Sequence, residues 1–237
     1  AAFDINIKTP CPGTDVRFTD KTEGKVTKYA WDFGTDASTG TATGSGPYIL
    51  NYSSSGDKTV RLIATNDFGS DTAYLTVTVQ PDAPSAPIAI TIDTACIAEG
   101  NQTYEVTAVK DATSYIWSLA SGGAIFGSNK DRAVIIAWNA AGNHELSVSA
   151  KNSCGTSAAT KQTAPIFDDV KADFSVNDDG MDFEFVNTST DNNAQSWSFG
   201  DGNSSTETSP KHTYATRNTY TVRLIVSNTC SVDTMEK

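Results

Sequence analysis

Histidines and carboxylates are the side chains of this sequence that could perform acid–base chemistry. The 237 residues contain two histidines, His144 and His212, and neither lies in a nucleophile motif such as G-x-S-x-G. His144 follows Gly142-Asn143 and is predicted to be a solvated turn residue. Eight carboxylates could supply a glycosidase-like pair: Asp168, Asp169, Asp173, Asp178, Asp179, Asp182, Glu184 and Asp191. Such pairs arise by chance in an acidic stretch, so we interpret these carboxylates as solvated and expect no catalytic residue.

Oxygen-bearing side chains suggest a second chemistry, which is calcium binding. Calcium takes oxygen ligands from Asp, Asn and backbone carbonyls. The candidate metal ligands are Asp191, Asn192, Asn193 and Asp201. Calcium is therefore the one cofactor that the sequence suggests, although no EF-hand pattern is present.

Sugar binding is a third chemistry, because exposed aromatic side chains stack on sugar rings. The candidate ligand-binding residues are Tyr48, Asn51, Tyr74 and Phe126, and Phe68 is a further aromatic candidate. No continuous binding strip is visible among them.

The elements that must position these side chains repeat three times. An aromatic residue stands eight residues before an apolar strand residue, and each strand ends on Asn: Tyr52, Val60 and Asn66; Trp138, Leu146 and Asn152; Tyr214, Val222 and Asn228. Apolar residues alternate along each of these segments. Because alternate side chains of a strand share one face, the pattern predicts three half-buried strands.

A tryptophan precedes each repeat strand within a short aromatic segment. Trp31, Trp117 and Trp197 stand 35, 35 and 31 residues before the strand-ending Asn. A buried Trp between two sheets is typical of small β-sandwiches. The sequence therefore predicts three cores, in domains spanning residues 1–81, 82–167 and 168–237, with a Pro-rich first linker that is semi-rigid.

Composition and charge exclude several functional classes. No apolar stretch approaches the length needed to cross a bilayer, so no membrane span is expected. The net charge is −11, divided as −2, −2 and −7 among the three predicted domains. Such a surface repels phosphate backbones, so nucleic acid is not an expected partner.

The third repeat resembles the polycystic kidney disease (PKD) domain family. It carries Trp197-Ser-Phe199-Gly200-Asp201-Gly202, then Pro210-Lys-His212-Thr-Tyr214, then an alternating strand ending at Asn228. The first repeat is a diverged copy that keeps Trp31-Asp32-Phe33-Gly34. The second lacks this loop and resembles PKD-like repeats of large secreted Bacteroidota proteins.

This resemblance implies an all-β fold of three tandem Ig-like sandwiches and a non-catalytic extracellular or cell-surface role. His212 is then expected to hydrogen-bond to the Gly200–Gly202 loop. The favoured function is a spacer or adhesive segment, extended as a rod, whose partner is a protein or glycan at the cell surface. The alternative is an accessory carbohydrate-binding segment of a polysaccharide-capturing lipoprotein or enzyme.

The four cysteines suggest an oxidising compartment. Cys96 precedes Trp117 by 21 residues and Cys154 follows Asn152 by two, so a Cys96–Cys154 disulfide within the middle domain is predicted. Cys11 and Cys230 each occupy half of the same arrangement, and we expect both to be free thiols or to pair outside this chain. The short segment after Asn228 also leads us to expect a piece of a larger protein.

Overall fold

A computed structural model describes all 237 residues, which form 23 β-strands and one short 3-10 helix. The strands are arranged as three successive pairs of sheets, so the predicted all-β fold class is confirmed. No helix of the structure has the length and apolar character needed to span a membrane.

The first repeat forms a three-stranded and a four-stranded antiparallel sheet, ordered β1-β2-β5 and β4-β3-β6-β7. Its strands are β1 (Phe3–Ile5), β2 (Val16–Asp20), β3 (Lys28–Asp32), β4 (Thr41–Ala42), β5 (Tyr48–Leu50), β6 (Gly56–Asn66) and β7 (Gly69–Val79). The long β6–β7 hairpin pairs Gly56 with Val79 and Asn66 with Gly69. Val77 and Val79 from the end of β7 are buried in the core.

The middle repeat forms sheets ordered β12-β13-β10-β8 and β11-β14-β16-β9, with β15 paired to β14. Its strands are β8 (Ile90–Thr91), β9 (Ala95–Cys96), β10 (Asn101–Val106), β11 (Ser114–Leu119), β12 (Gly123–Phe126), β13 (Ala133–Trp138), β14 (Gly142–Asn152), β15 (Gly155–Thr156) and β16 (Thr160–Phe167). The 3-10 helix Ile97–Glu99 follows β9. Strand β9 pairs with β16 in parallel, which places Cys96 opposite Phe167.

The third repeat forms sheets ordered β17-β18-β21 and β20-β19-β22-β23. Its strands are β17 (Phe174–Asp179), β18 (Asp182–Asn187), β19 (Ala194–Ser198), β20 (Ser204–Ser205), β21 (Lys211–Thr213), β22 (Arg223–Ser227) and β23 (Val232–Glu236). Strands β22 and β23 pair from Arg223–Glu236 to Ser227–Val232.

The alternating repeat strands and the three tryptophans are buried as the sequence predicts. The core-facing residues of the repeat strands are nearly inaccessible: Val60, Leu62, Ala64, Leu146, Val148, Ala150, Val222, Leu224 and Val226. Trp31, Trp117 and Trp197 are each at most 2% exposed. Each indole N–H donates to a loop carbonyl, on Gly44, Asp131 and Glu207 respectively, at 2.9–3.0 Å. The tryptophans therefore fill the cores and also fix a loop of their own repeat.

The chain folds into two compact units whose limits do not follow the three repeats. One unit contains residues 1–87, 108–116 and 149–159, and the other contains residues 88–107, 117–148 and 160–237. The turn that carries Cys154 thus belongs to the same unit as the first repeat.

Candidate functional site

Two disulfides join cysteines of successive repeats. Cys11 is bonded to Cys154, and Cys96 is bonded to Cys230, with Cα–Cα distances of 5.5 and 5.6 Å that are normal for a disulfide. No cysteine is free. The predicted Cys96–Cys154 disulfide is therefore wrong, and so is the expectation that Cys11 and Cys230 are free thiols or pair outside this chain.

The turn carrying Cys154 is held by Asn152 against the linker that follows the first repeat. The Asn152 side-chain carbonyl accepts hydrogen bonds from the backbone N–H groups of Cys154 and Gly155, at 2.8 and 3.0 Å. Its amide donates to the carbonyl of Asp82 at 2.6 Å. A Cβ on Gly155 would lie 2.8 Å from the Ala83 side chain. The strand-ending Asn thus shapes the turn and docks it on the linker.

Asn228 makes the same hydrogen bonds around the turn that carries Cys230. Its side-chain carbonyl accepts from the N–H groups of Cys230 and Ser231, at 2.7 and 3.0 Å. Its amide donates to the carbonyl of Asp168, the first residue after β16, at 2.9 Å. Both cysteine turns therefore dock on the chain segment that enters their own repeat.

The other cysteine of each bond lies beside the last strand of its own repeat. The N–H of Gln80, just after β7, donates to the carbonyl of Pro10, next to Cys11. Cys96 is opposite Phe167 at the end of β16. Each early cysteine is therefore at the exit of its repeat, where the turn of the following repeat also docks. The pairing between repeats was not predicted, because cysteine positions within one repeat do not indicate which end of the sandwich each cysteine occupies.

One sequence signal separates the cysteine turns of the two later repeats from the first repeat. Asn-x-Cys occurs at residues 152–154 and again at 228–230, whereas the first repeat has Phe68 at that position. Phe68 is 98% exposed, and its N–H donates to the Asn66 side chain at 2.9 Å. The turn therefore forms without a cysteine, and the cysteine is present only in the two turns that follow another repeat in this chain.

His212 is engaged by the Gly200–Gly202 loop as expected. Its Nε2 is 2.8 Å from a carboxylate oxygen of Asp201, and its ring stacks on Phe199 at a centroid distance of 4.2 Å. Partial burial of Asp201 opposes its ionisation. Hydrogen bonds from the Asn203 backbone and side chain and from His212 outweigh this effect and lower the pKa of Asp201 to about 2. The His212–Asp201 pair therefore holds the loop in place.

His144 is buried, so its prediction as a solvated turn residue is wrong. It lies on β14, is 8% exposed and stacks on Trp138 at 5.4 Å. Its ring nitrogens lie 3.0 Å from the Ala140 carbonyl oxygen and 3.2 Å from the Ser121 hydroxyl oxygen. The physical reason is strand alternation, because His144 is in phase with the buried Leu146 and Val148.

The four calcium candidates do not come together. Asp191, Asn192 and Asn193 precede β19, whereas Asp201 follows the opposite end of this five-residue strand, a span of roughly 16 Å at the usual rise per residue. Asp201 is bound to Asn203 and His212. No group of three or more His, Cys, Asp or Glu side chains is arranged to hold a metal ion. The proposed ligand set is therefore not one site, and calcium binding stays a prediction.

The candidate sugar-binding residues are also dispersed. Tyr48 packs edge-on against Trp31 and Phe33, so its ring contributes to the first core. Asn51 donates from its side chain to Asp15 at 3.2 Å. Tyr74 is 66% exposed on β7, in the other sheet of the same repeat, and Phe126 is 63% exposed on β12 of the middle repeat. Tyr74 and Phe126 are thus exposed aromatics of different compact units, and carbohydrate binding stays a prediction.

A groove of about 520 Å³ in the third repeat was not foreseen from the sequence. Val176 and Met181 line one side, and Asn218 and Tyr220 line the other. In the first repeat the corresponding start of β6 is paired with the end of β7. In the third repeat the pairing with β23 reaches only Val222, which exchanges hydrogen bonds with Lys237. The groove therefore lies beside Val222 and Lys237, where the pairing of β22 with β23 ends.

Comparisons with known proteins agree with this architecture. Solved structures of the titin fragment I67–I69 are similar to the chain: an E-to-A variant covers 99% of this chain and 96% of that chain with a TM-score of 0.58, and another covers 100% and 97% with a TM-score of 0.55. Both are 13% identical, so the likeness shows the Ig-like fold alone. No curated protein matches the chain.

Family models cover the three repeats in turn. A PKD domain model matches residues 4–79, a PKD-like domain model matches residues 83–164, and a second PKD domain model matches residues 162–237. The repeated strands, core tryptophans and loop that suggested this family are all present in the structure. The chain belongs to the PKD family and consists of three PKD-type domains in tandem.

Proposed function

We propose that this chain is a non-catalytic spacer or adhesive segment of a larger secreted or surface-anchored protein. The observation that carries the proposal is the disulfide across each junction, Cys11–Cys154 and Cys96–Cys230. Covalent bonds between consecutive domains oppose their separation without adding any reactive group. Disulfides between domains suit a segment that must keep the two parts of a protein on either side of it at a distance.

The disulfides also support an extracellular location. Structural disulfides persist in oxidising compartments and are rare where glutathione and thioredoxin keep thiols reduced. All four cysteines of this chain are used in such bonds. The expected partner is a protein or glycan at the cell surface, and the net charge of −11 disfavours nucleic acid.

Catalysis is not expected, because PKD and Ig-like domains are typically structural modules and both imidazoles have structural roles. His212 is bound to Asp201, and His144 is packed on Trp138. The Ser121 hydroxyl is close enough to His144 to resemble a nucleophile and base. We expect no hydrolysis of an activated ester such as p-nitrophenyl acetate above the rate of a Ser121→Ala variant. Hydrolysis that is lost in that variant would contradict a non-catalytic role.

A glycan array and a polysaccharide gel shift, each with and without calcium, distinguish the proposed spacer function from carbohydrate binding. The spacer proposal predicts no retardation by any polysaccharide. Retardation that is abolished by Tyr74→Ala or Phe126→Ala would instead assign the chain an accessory carbohydrate-binding role. Ile49→Ala is the matched control, because Ile49 is 62% exposed and has no ring that could stack on a sugar.

A further inference from the structure

We propose that the crossed disulfides make this chain a tether of covalently limited length, and that the segment between Cys96 and Cys154 sets this length. This inference rests on the proposed spacer function and specifies how the spacer bears load. It follows from which cysteines are bonded, and from their order along the chain.

The two disulfides enclose overlapping loops. Along the sequence the cysteines occur in the order Cys11, Cys96, Cys154 and Cys230, and the first is bonded to the third while the second is bonded to the fourth. Residues 96–154 therefore belong to both loops. This segment contains most of the middle domain, from β9 to the end of β14.

The shortest covalent route between the chain ends passes through both sulfur bridges. It runs ten residues from Ala1 to Cys11, crosses to Cys154, runs 58 residues back to Cys96, crosses to Cys230 and runs seven residues to Lys237. A residue step is the backbone connection from one residue to the next. The route contains 75 such steps, whereas the open chain contains 236. At full extension, tension therefore passes through residues 96–154 in the reverse direction of the sequence.

The remaining segments do not set the final length. Two other stretches connect the same bridges, 85 steps from Cys11 to Cys96 and 76 steps from Cys154 to Cys230. Both are longer than the 58-step segment, so they stay slack when that segment is fully extended. The outer domains contribute only their terminal arms, which contain β1 and β23. Their unfolding beyond those arms adds no length to the tether.

The expected difference in length is large. At about 3.3–3.6 Å per extended residue, the cross-linked route reaches roughly 250–270 Å, and the open chain reaches roughly 780–850 Å. Single-molecule force extension between handles at Ala1 and Lys237 resolves this difference. Dithiothreitol provides the open chain, because it becomes a cyclic disulfide as each protein disulfide is reduced to two thiols.

Paired Cys→Ser variants give an ordered series of lengths. Removing Cys96 and Cys230 leaves 93 steps, ten to Cys11 and 83 from Cys154 to Lys237. Removing Cys11 and Cys154 leaves 102 steps, 95 to Cys96 and seven from Cys230 to Lys237. We expect final extensions in the ratio 75 to 93 to 102 to 236 for the oxidised chain, the two paired variants and the variant without cysteines.

The length limit is independent of the stability of any one domain. At full extension the two bridges lie roughly 190–210 Å apart, and the 85-step and 76-step stretches must span the same distance, so all three domains unfold. Gly200→Ala, which destabilises only the third domain, should lower the force at which that domain unfolds and leave the final extension of the oxidised chain unchanged.

Specific outcomes would overturn the proposal. An oxidised chain that extends as far as the variant without cysteines contradicts it. Sequential pairing of Cys11–Cys96 and Cys154–Cys230 would also give 75 steps, but removing Cys96 and Cys230 would then break both bonds and yield 236 steps. Glycan binding or hydrolysis would defeat the proposed function without changing these lengths, so the two failures are distinguishable.

Discussion

The outer and middle domains close the same sandwich corner with different residues. In the outer domains a buried tyrosine donates to a phenylalanine carbonyl, Tyr52 to Phe33 at 2.9 Å and Tyr214 to Phe199 at 2.8 Å. In the middle domain Trp138 stands in the tyrosine position, and its N–H donates to the Tyr104 hydroxyl at 2.9 Å.

The difference shows that the repeat preserves a satisfied buried hydrogen bond rather than a residue type. Burial of the first-domain tyrosine raises the pKa of Tyr52 to about 12, because the charged phenolate would be poorly solvated there. In the middle domain His144 also stacks on Trp138. It also receives one end of each disulfide, so the domain that departs most from the repeat pattern is the covalent hub.

Removing a disulfide between the middle domain and an outer domain should have the largest effect on stability. We expect the paired variants Cys11→Ser/Cys154→Ser and Cys96→Ser/Cys230→Ser each to lower the free energy of unfolding by about 5 kcal/mol in the chain-entropy model. The two losses should be similar, because the sequence separations of 143 and 134 residues differ little. Guanidinium denaturation measures both, and an unchanged midpoint in either variant would contradict the cross-linked hub.

A glycine substitution tests the corner that distinguishes the outer domains. Gly200 has φ of +83°, and a Cβ there would lie 2.7 Å from the Thr221 carbonyl oxygen. Gly202 has φ of +99° but no atom within 4 Å of its Cβ position. Gly200→Ala should therefore cost more than about 2 kcal/mol, and Gly202→Ala about 1–2 kcal/mol from backbone strain alone. Equal thermal midpoints for the two variants would mean that the close approach to Thr221 is unimportant.

Hydroxyl removal compares the two kinds of corner directly. Tyr214→Phe leaves the Phe199 carbonyl without its donor, and Tyr104→Phe leaves the Trp138 N–H without its acceptor. Each should lower the free energy of unfolding by about 1–3 kcal/mol, because a buried polar group loses its partner. Tyr74→Phe on the exposed face of β7 is the control and should be neutral. If Tyr104→Phe left the free energy of unfolding unchanged, the Trp138–Tyr104 hydrogen bond would not be the counterpart of the tyrosine–carbonyl hydrogen bond in the outer domains.

The smallest expected effect is the part of the pH dependence that Asp201 contributes. Asp201 has a folded-state pKa of about 2, below its ordinary value of 3.8, so its stabilising contribution is complete above pH 4 and is lost as pH falls toward 2. Asp201→Asn should make the decline in unfolding free energy between pH 4 and pH 2 shallower. Denaturation at several pH values measures the slope, and an identical slope in the variant would exclude Asp201 as its source.

The fold was predictable because its signals are local and periodic. Alternation identifies the core face of Val60, Leu146 and Val222, and the aromatic segments identify the three tryptophans. The same alternation extends back to His144, so its burial was also within reach of the sequence. The hydrogen bond between His212 and Asp201 was predictable from the loop that the PKD resemblance implies.

The cysteine pairing and the surfaces were not predictable in the same way. Four cysteines allow three pairings, and the choice depends on where Asn152 and Asn228 dock their turns. Docking depends on which end of a sandwich faces the linker, and no strand pattern encodes that. The placement of the calcium candidates was hard to predict for a related reason, because residues close in sequence, such as Asn193 and Asp201, lie at opposite ends of β19.

A non-reducing tryptic peptide map tests the crossed junctions most directly. The four cysteines fall in four different tryptic peptides, residues 9–17, 62–110, 152–161 and 224–237, so each pairing gives a unique pair of masses. We expect peptide 9–17 to be joined to 152–161 and peptide 62–110 to be joined to 224–237. Peptide 62–110 joined to 152–161, with 9–17 and 224–237 free or joined to each other, would contradict it.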